Sequence, residues 1–334
     1  MQKVIRFQPI YKHKLWGGRN LEKLYNRVLP EKHIGESWEV SDYHEDISII
    51  TNGELSGKNF REIHEKYREE VLGDCFSEDE PFPLLIKFID ASEHLSVQVH
   101  PDDYYALYYD QENSGKKEAW LILQSEQDAG IVCGFIENMN REAYKALVLE
   151  NRAEDCLQKY KVKPGDAYII NPGTVHAIGE GIFLLEIQQS SDSTYRVYDF
   201  GRVDDDGKPR KLHLEKALDV IDFNKSNNKE LLQPEFIPWS SGTRLKIVAN
   251  DKFRMDTLEF NNQAMLPPLA IDNVFHIVVV IEGNGSIENE NFSFQGGDTF
   301  LITARGMKEK VTITPGEKLK IALMSVGTDW IRFK

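Results

Sequence analysis

Cysteine is scarce in this chain, and the scarcity removes two kinds of site. Cys75, Cys133 and Cys156 are odd in number, widely spaced and without a C-x-x-C pair, so they supply neither a disulfide framework nor a thiolate zinc site. Any metal held here has nitrogen and oxygen ligands. Positive charge is also short: 40 Lys and Arg stand against 54 Asp and Glu, a formal net charge of −14. That balance argues against nucleic acid, whose binding depends on cations that neutralise phosphates. A small phosphorylated ligand, which needs only two or three well-placed cations, stays open. Long apolar runs are missing too. The longest aliphatic one, IVVVI at 277–281, is far too short to span a bilayer, and MQKVIRFQPI carries no apolar signal core. The chain therefore reads as cytoplasmic, with no membrane partner and no obligatory protein partner implied. What remains is an ordinary soluble composition, 41% hydrophobic and 28% charged over 334 residues, long enough for a large core and for two domains rather than one.

The most informative stretch runs from His94 to Glu118. In HLSVQVHPDD a period of two sends Leu95, Val97 and Val99 one way and Ser96, Gln98 and His100 the other. A polar face turned inwards is costly without partners, and a metal would be such a partner. Pro101 ends this strand, DDYYALYY reads as a short helix with acids in its first turn, and a polar turn leads into KKEAWLIL. There Glu118, Trp120 and Ile122 share a face, so two adjacent strands can bring Gln98, His100 and Glu118 together. Gln98 and His100 alone would fit a half-exposed strand with a hydrogen-bonded core histidine equally well. Candidates further along tip the balance.

Before this stretch come short β-like runs, with Gly17-Gly18 read as a turn that brings Trp16 close to backbone. KNFREIHEKYREEVLG has helical spacing, and His44 and His64 find no partners at ligand spacing. PFPLLIKFID is an apolar strand interrupted by Lys87, which points into a site or snorkels from an edge. NREAYKALVLEN is a helix capped by Asn140. Beyond it, Asn171-Pro172-Gly173 is a turn that delivers His176 onto a strand. FLLEIQQS then places Glu186, Gln188 and Ser190 on one face, a second strand with an inward polar side. Asp192, Arg196, Asp199 and Arg202 follow in a loop or strand edge, where chemistry is often carried. After a helix in HLEKALDVIDF, residues 223–243 lose all periodicity and read as a linker. Short strands with Gly-rich turns resume from 244 to 334.

PGDAYIINPGTVH and GGDTFLITARGMK superimpose at Gly165-Asp166 and Gly297-Asp298, an offset of 132 residues. Each reads as turn, four-residue strand, turn. The fold expected is mainly β with a few helices, in two related barrels: residues 1–222 form an armed unit, and residues 244–334 an unarmed one. In the second copy ARGMKEK stands where His176 would fall, and His276 is the lone histidine.

The run G-x5-N-x-G-x-x-H from Gly165 to His176 resembles the second motif of the cupin superfamily, and Q-V-H at 98–100 resembles the H-x-H of the first, with Gln in place of the leading His. LSVQVHPDD, GKKEAW, PGTVHAIG and SSDSTYRVYDFGR together resemble the type I mannose-6-phosphate isomerases in their short bacterial form. The resemblance runs from the WGG and GESWEVSD segments through KLHLEKAL, about two thirds of the chain. It implies two cupin-like (jelly-roll) barrels in tandem without a large helical insertion domain, and one zinc per chain on Gln98, His100, Glu118 and His176. It places a catalytic arginine at Arg196, an aspartate at Asp192 and a lysine at Lys116, with Ser96, Lys87 and Arg202 lining the substrate site. One departure stands beside the ligand glutamate, where the family usually has Thr or Pro and this chain has Lys117. The phosphate contact is thereby open between Lys116 and Lys117.

The reaction implied interconverts mannose 6-phosphate and fructose 6-phosphate, small sugar phosphates, through an enediol. The base is Glu186 by strand alternation or Asp192 by position, and the sequence does not choose between them. Two other readings share the scaffold: an iron-dependent cupin oxygenase, built on two His and one carboxylate, and a non-catalytic sugar-binding cupin.

Overall fold

Strands whose neighbours lie on both sides, with a core above and below, are buried on both faces, and the central strands of this protein are. Leu84–Ala91 and Ile182–Gln189 are buried along their whole length. The computed structural model describes residues 1–30, 32–203, 207–224 and 231–330. Its architecture is mainly β. A seven-stranded sheet runs in the order Leu231–Leu232, Ala167–Ile170, Glu118–Ser125, Ile182–Gln189, Leu84–Ala91, Ile10–Gly18, Ile34–Val40. A five-stranded sheet faces it, in the order Leu157–Lys161, Gly130–Phe135, His176–Ile178, Val97–Val99, Tyr195–Tyr198.

The two faces of the larger sheet have different destinations. Ala119, Leu121, Leu185 and Ile187 enter a core shared with Ile247, Phe253, Met255, Ile277 and Met324 from the C-terminal part of the chain. Trp120, Ile122 and Leu184 point the other way and meet Ile131 and Ile178 of the five-stranded sheet. By the period of two, Lys87, Glu118, Glu186 and Gln188 share this second face. All four are buried.

Residues 242–326 supply most of an eight-stranded sheet and a four-stranded one. The order Ala167–Ile170, Glu118–Ser125, Ile182–Gln189, Leu84–Ala91 recurs as Thr299–Ile302, His276–Glu282, Lys320–Val326, Phe253–Phe260. The expected repeat is thus present in strand order as well as strand length. Gly165 and Gly297 both have positive φ, 93° and 85°. The registers also correspond: Ile170 lies opposite Glu118, and Ile302, its repeat mate, lies opposite His276. His276 therefore occupies the counterpart of Glu118.

Four sequence expectations need correction. The counterpart of His176 is not in ARGMKEK, because a helix, Ala304–Lys308, is inserted there and delays the next strand to Thr312–Pro315. His176 pairs with Gln98 and Cys133, and the matching position, Ile313, pairs with Ala264 and Ile287. Second, the expected linker at 223–243 is not structureless where described: Leu231–Leu232 pairs with Ala167 and Tyr168, and Glu235–Ile237 pairs with residues 244–246. These strands are too short for a period to show, and residues 225–230 of that segment lie outside the described residues. Third, Val4–Gln8 pairs with Thr299–Ile302 and with Ile49–Ile50, so the first strand sits in the sheet of the C-terminal unit. Fourth, Gly17 and Gly18 are strand residues, not a turn.

Candidate metal centre and substrate pocket

Three ligand-type side chains meet where the two facing sheets converge. One donor atom from each of His100, Glu118 and His176 lies within 4.8 Å of the other two, and all three residues are buried. Glu118 begins a strand of the seven-stranded sheet, His176 begins a strand of the five-stranded sheet, and His100 follows Val99 at the end of the strand beside it. The three residues that the sequence singles out do meet, but across facing sheets and not on two adjacent strands as expected, and Gln98 lies directly opposite His176 in the ladder.

The surroundings decide which imidazole nitrogen is available. His100 Nδ1 bonds the Ser193 carbonyl at 2.8 Å, and His176 Nδ1 bonds the Thr174 carbonyl at 2.9 Å. A carbonyl only accepts, so each Nδ1 carries the proton and each Nε2 presents a lone pair to the centre. Burial, aided by Lys116 and the neighbouring imidazole, holds the His100 pKa well below the usual range. His176 is lowered to about 4, again by burial first. Both rings are therefore neutral, as metal ligands must be. Glu118 Oε2 is buried and makes no hydrogen bond, its Lys116 neighbour at 3.1 Å being an ion pair only. Two inward lone pairs and an unsatisfied buried carboxylate oxygen suit a divalent cation of the zinc type. The Gln98 amide lies 3.3 Å from His176 Nε2. With its oxygen turned inward, it can be a fourth donor.

A cavity of about 240 Å³ reaches this cluster at Glu118, beside Gln98. Of the residues expected from the sequence, Lys87, Ser96, Gln98, Lys116, Glu118, Glu186, Asp192 and Arg196 line it. Two do not. Lys117, one residue along the chain from Lys116, points to the other side and pairs with Asp251 of the C-terminal unit. Arg202 pairs with Asp199 and donates to the His94 carbonyl. Of the two lysines, only Lys116 faces the cavity.

Sequence reasoning missed Lys14, Glu36 and Arg210, which line the cavity together with Trp16. Glu36 was legible in GESWEV, where it shares a face with Trp38 and accepts from the Trp38 indole at 2.7 Å. Lys14 sits 2.8 Å from the same carboxylate. Lys87 lies 3.6 Å from Glu36, 3.8 Å from Glu186 and 3.6 Å from Asp192. Burial opposes its charge, but these carboxylates outweigh it and raise the pKa. Glu36 is held well below the carboxylate range by Lys14 and Lys87 against its own burial.

Glu186 behaves in the opposite way. Burial, followed by the nearby Glu118, pushes it up to about 7, and its Oε1 is buried without a hydrogen bond. Arg196 donates to Ser96 Oγ and to the Lys211 carbonyl, and among the described residues it makes no ion pair with a carboxylate, Asp199 acting on it only from further off. Burial and then Arg210 lower its pKa. A half-buried guanidinium beside other cations attracts an anion.

The sequence of the catalytic domain of phosphomannose isomerase type I matches residues 4–120. Mannose-6-phosphate isomerase ManA of Bacillus subtilis is 35% identical over 298 residues, which are 89% of this chain and 91% of that protein. The chain belongs to the type I phosphomannose isomerase family. The mannose-6-phosphate isomerase of Streptococcus mutans is 34% identical over 291 residues, 86% of this chain and 89% of its own. Among solved structures, the mannose 6-phosphate isomerase from Bacillus subtilis superposes with a TM-score of 0.87 at 31% identity, covering 97% of this chain and 100% of that one. The stretch matched to the catalytic domain ends at Trp120, so it includes Gln98, His100 and Glu118. His176, Glu186 and Arg196 lie in the part that the longer alignments span.

Proposed function

We propose that this protein is a zinc-dependent aldose–ketose isomerase that interconverts mannose 6-phosphate and fructose 6-phosphate through an enediol. The observation that carries the reading is the buried His100, Glu118 and His176 cluster, open to a sugar-sized cavity beside Glu186 and Arg196. The relatives at 34–35% identity bear the same activity in their names. A solved relative bound with zinc, 16% identical, shares the fold.

Gln98, His100, Glu118 and His176 would hold one zinc per chain, which as a Lewis acid stabilises negative charge developing on the sugar's oxygens. Glu186 takes the proton from C2 of the aldose and returns it to C1, while the hydroxyl proton of O2 passes to O1. Its buried, unbonded oxygen on the ligand-bearing face favours it over Asp192, whose side chain is 39% exposed. A cation on Glu118 would remove part of the push on Glu186 and leave burial as the main cause. Arg196, with Arg210 beside it, binds the phosphate end, and Lys116 and Lys87 supply positive charge along the cavity wall. Trp16, Leu95 and Ile178 form the apolar part of that wall and keep water from the enediol.

The two facing pairs of sheets are, in this reading, two jelly-roll units in tandem, with the first strand exchanged into the C-terminal one. His276 marks a lost ligand position in the second unit. The cupin oxygenase shares the His, Glu, His set but has no use for Arg196, Arg210 and Lys116. A non-catalytic sugar binder would have no reason to keep every ligand. The three cysteines are buried thiols, in keeping with a cytoplasmic protein, and no helix among the described residues is long and apolar enough to cross a membrane. Metal analysis paired with an isomerase assay tests the reading: one zinc per chain and a rate abolished by chelation are expected, and an undiminished rate after complete metal removal would refute it.

A further inference from the structure

The polar network behind the metal centre crosses into the C-terminal unit, and its hub is Asp103. Asp103 Oδ1 accepts from the Gly115 amide at 2.9 Å and from Gln189 Nε2 at 2.9 Å. Gln189 in turn accepts the Lys117 amide at 3.0 Å, and its own amide donates to the Lys117 carbonyl at 3.1 Å. The loop before Glu118 is tied once more by the Lys116 amide on the Pro101 carbonyl at 3.0 Å. Three segments are therefore joined at one carboxylate: the one after His100, the one before Glu118 and the one after Glu186. The other oxygen of Asp103 is 2.9 Å from Lys252 Nζ, which also bonds Asp329 at 2.7 Å. Lys117 Nζ meets the adjacent Asp251.

Lys252 is itself held firmly. It lies in the tight connection between Gly242–Ala249 and Phe253–Phe260, where Asn250 Oδ1 accepts the Lys252 and Phe253 amides at 2.8 and 2.9 Å. The Gly327 amide closes onto the Lys252 carbonyl at 2.9 Å. A cation fixed to a rigid hairpin thus neutralises the carboxylate that clamps the two loops flanking the ligands.

We infer that Lys252, from the C-terminal unit, is a positioning residue for the metal centre, acting through Asp103 on the backbone that presents Glu118 and His100. The inference rests on the metal reading above. Removing Lys252 leaves Asp103 with two neutral donors and loosens its hold on Gly115 and Gln189. The ligand set is untouched, so zinc should still bind but leave faster.

The test follows zinc transfer from the full-length, zinc-loaded protein to a chromogenic chelator. Lys252→Met should accelerate zinc loss about tenfold, within the range for groups that orient ligands, and Lys252→Arg should restore it to within about twofold. Lys246→Met, which breaks an ion pair with Glu235 inside the C-terminal unit, should leave zinc loss unchanged. If Lys252→Met does not fold, Asp103→Asn attacks the same contact from the other side and should give the same acceleration. The double variant should be no faster than the quicker single. Parental zinc retention in Lys252→Met or Asp103→Asn, or equal acceleration by Lys246→Met, would overturn the inference. A parent protein that holds no zinc would instead sink the metal reading.

Discussion

Glu118 and Glu186 are both buried carboxylates on adjacent strands of one sheet, and their partners set them apart. Glu118 has two imidazole nitrogens at 3.5 Å and the Lys116 ammonium at 3.1 Å. Glu186 has only Lys87, at 3.8 Å, and its pKa of about 7 is that of a group able to take and return a proton near neutrality. Glu186→Gln keeps the shape and removes the base, so kcat should fall by roughly 10²- to 10⁴-fold while zinc content stays at one per chain. A measured loss of zinc instead would make Glu186 a ligand rather than the base. The pH profile follows with a definite sign. The base works deprotonated and burial raises its pKa even with a cation on Glu118, so kcat/KM should decline as pH falls through that raised pKa, and Glu186→Asp should move that acid limb whereas Asp192→Asn should not.

At the scale of elements, the period of two was the most dependable guide. It put Gln98 and His100 on one face, Glu118 and Trp120 on another, and Glu186 and Gln188 on a third, and these faces converge. The same period, applied through Lys116 and Lys117, separates the two lysines: one meets Glu118, the other Asp251. What alternation does not report is how closely two strands approach. A Cβ on Gly17 would stand 2.4 Å from the Gly35 backbone nitrogen, and one on Gly18 would stand 2.2 Å from Asp90 Oδ1. Gly17→Ala should therefore destabilise by about 1–3 kcal/mol, the usual cost of overpacking, read as a shift in the urea midpoint. An unchanged midpoint would mean that the strands separate freely there.

On the scale of the whole molecule, the C-terminal unit contributes apolar surface. Its Met255, Phe253 and Met324 share one core with Leu121 and Leu185, and Val4–Gln8 takes its ladder partner from Thr299–Ile302. A fragment ending near residue 235 keeps every ligand yet loses both contacts, so it should be insoluble or unfolded by near-UV circular dichroism. A soluble, zinc-loaded fragment would refute this. His276 adds a pH signature. Its Nδ1 bonds the Val274 carbonyl at 3.0 Å and its Nε2 accepts the Leu269 amide at 3.1 Å, so only the neutral ring fits. Burial lowers its pKa from 6.5 to about 4. The unfolded chain gains a proton below 6.5 that the folded protein refuses until about 4. This stabilisation is complete above 6.5 and is lost as pH falls towards 4, by on the order of 3 kcal/mol. The stability advantage of the parent over His276→Gln should shrink across that window; a constant difference would contradict the assignment.

Local order in the chain was enough to turn Ser96, Gln98 and His100 to one side of their strand and Glu186 and Gln188 to one side of theirs, to cap a helix at Asn140 and to mark the four-residue repeat strands. Each depends on spacing within a few residues, where side-chain direction follows from backbone period alone. The tertiary structure alone decided the rest: that Lys14, Glu36 and Arg210 join the cavity, that Ile313 and His276 are the counterparts of His176 and Glu118, and that the first strand crosses to the other unit. Those facts depend on which strands become neighbours. That choice is made by matching whole apolar faces across hundreds of residues, and a period of two, being the same in every strand, carries no record of it.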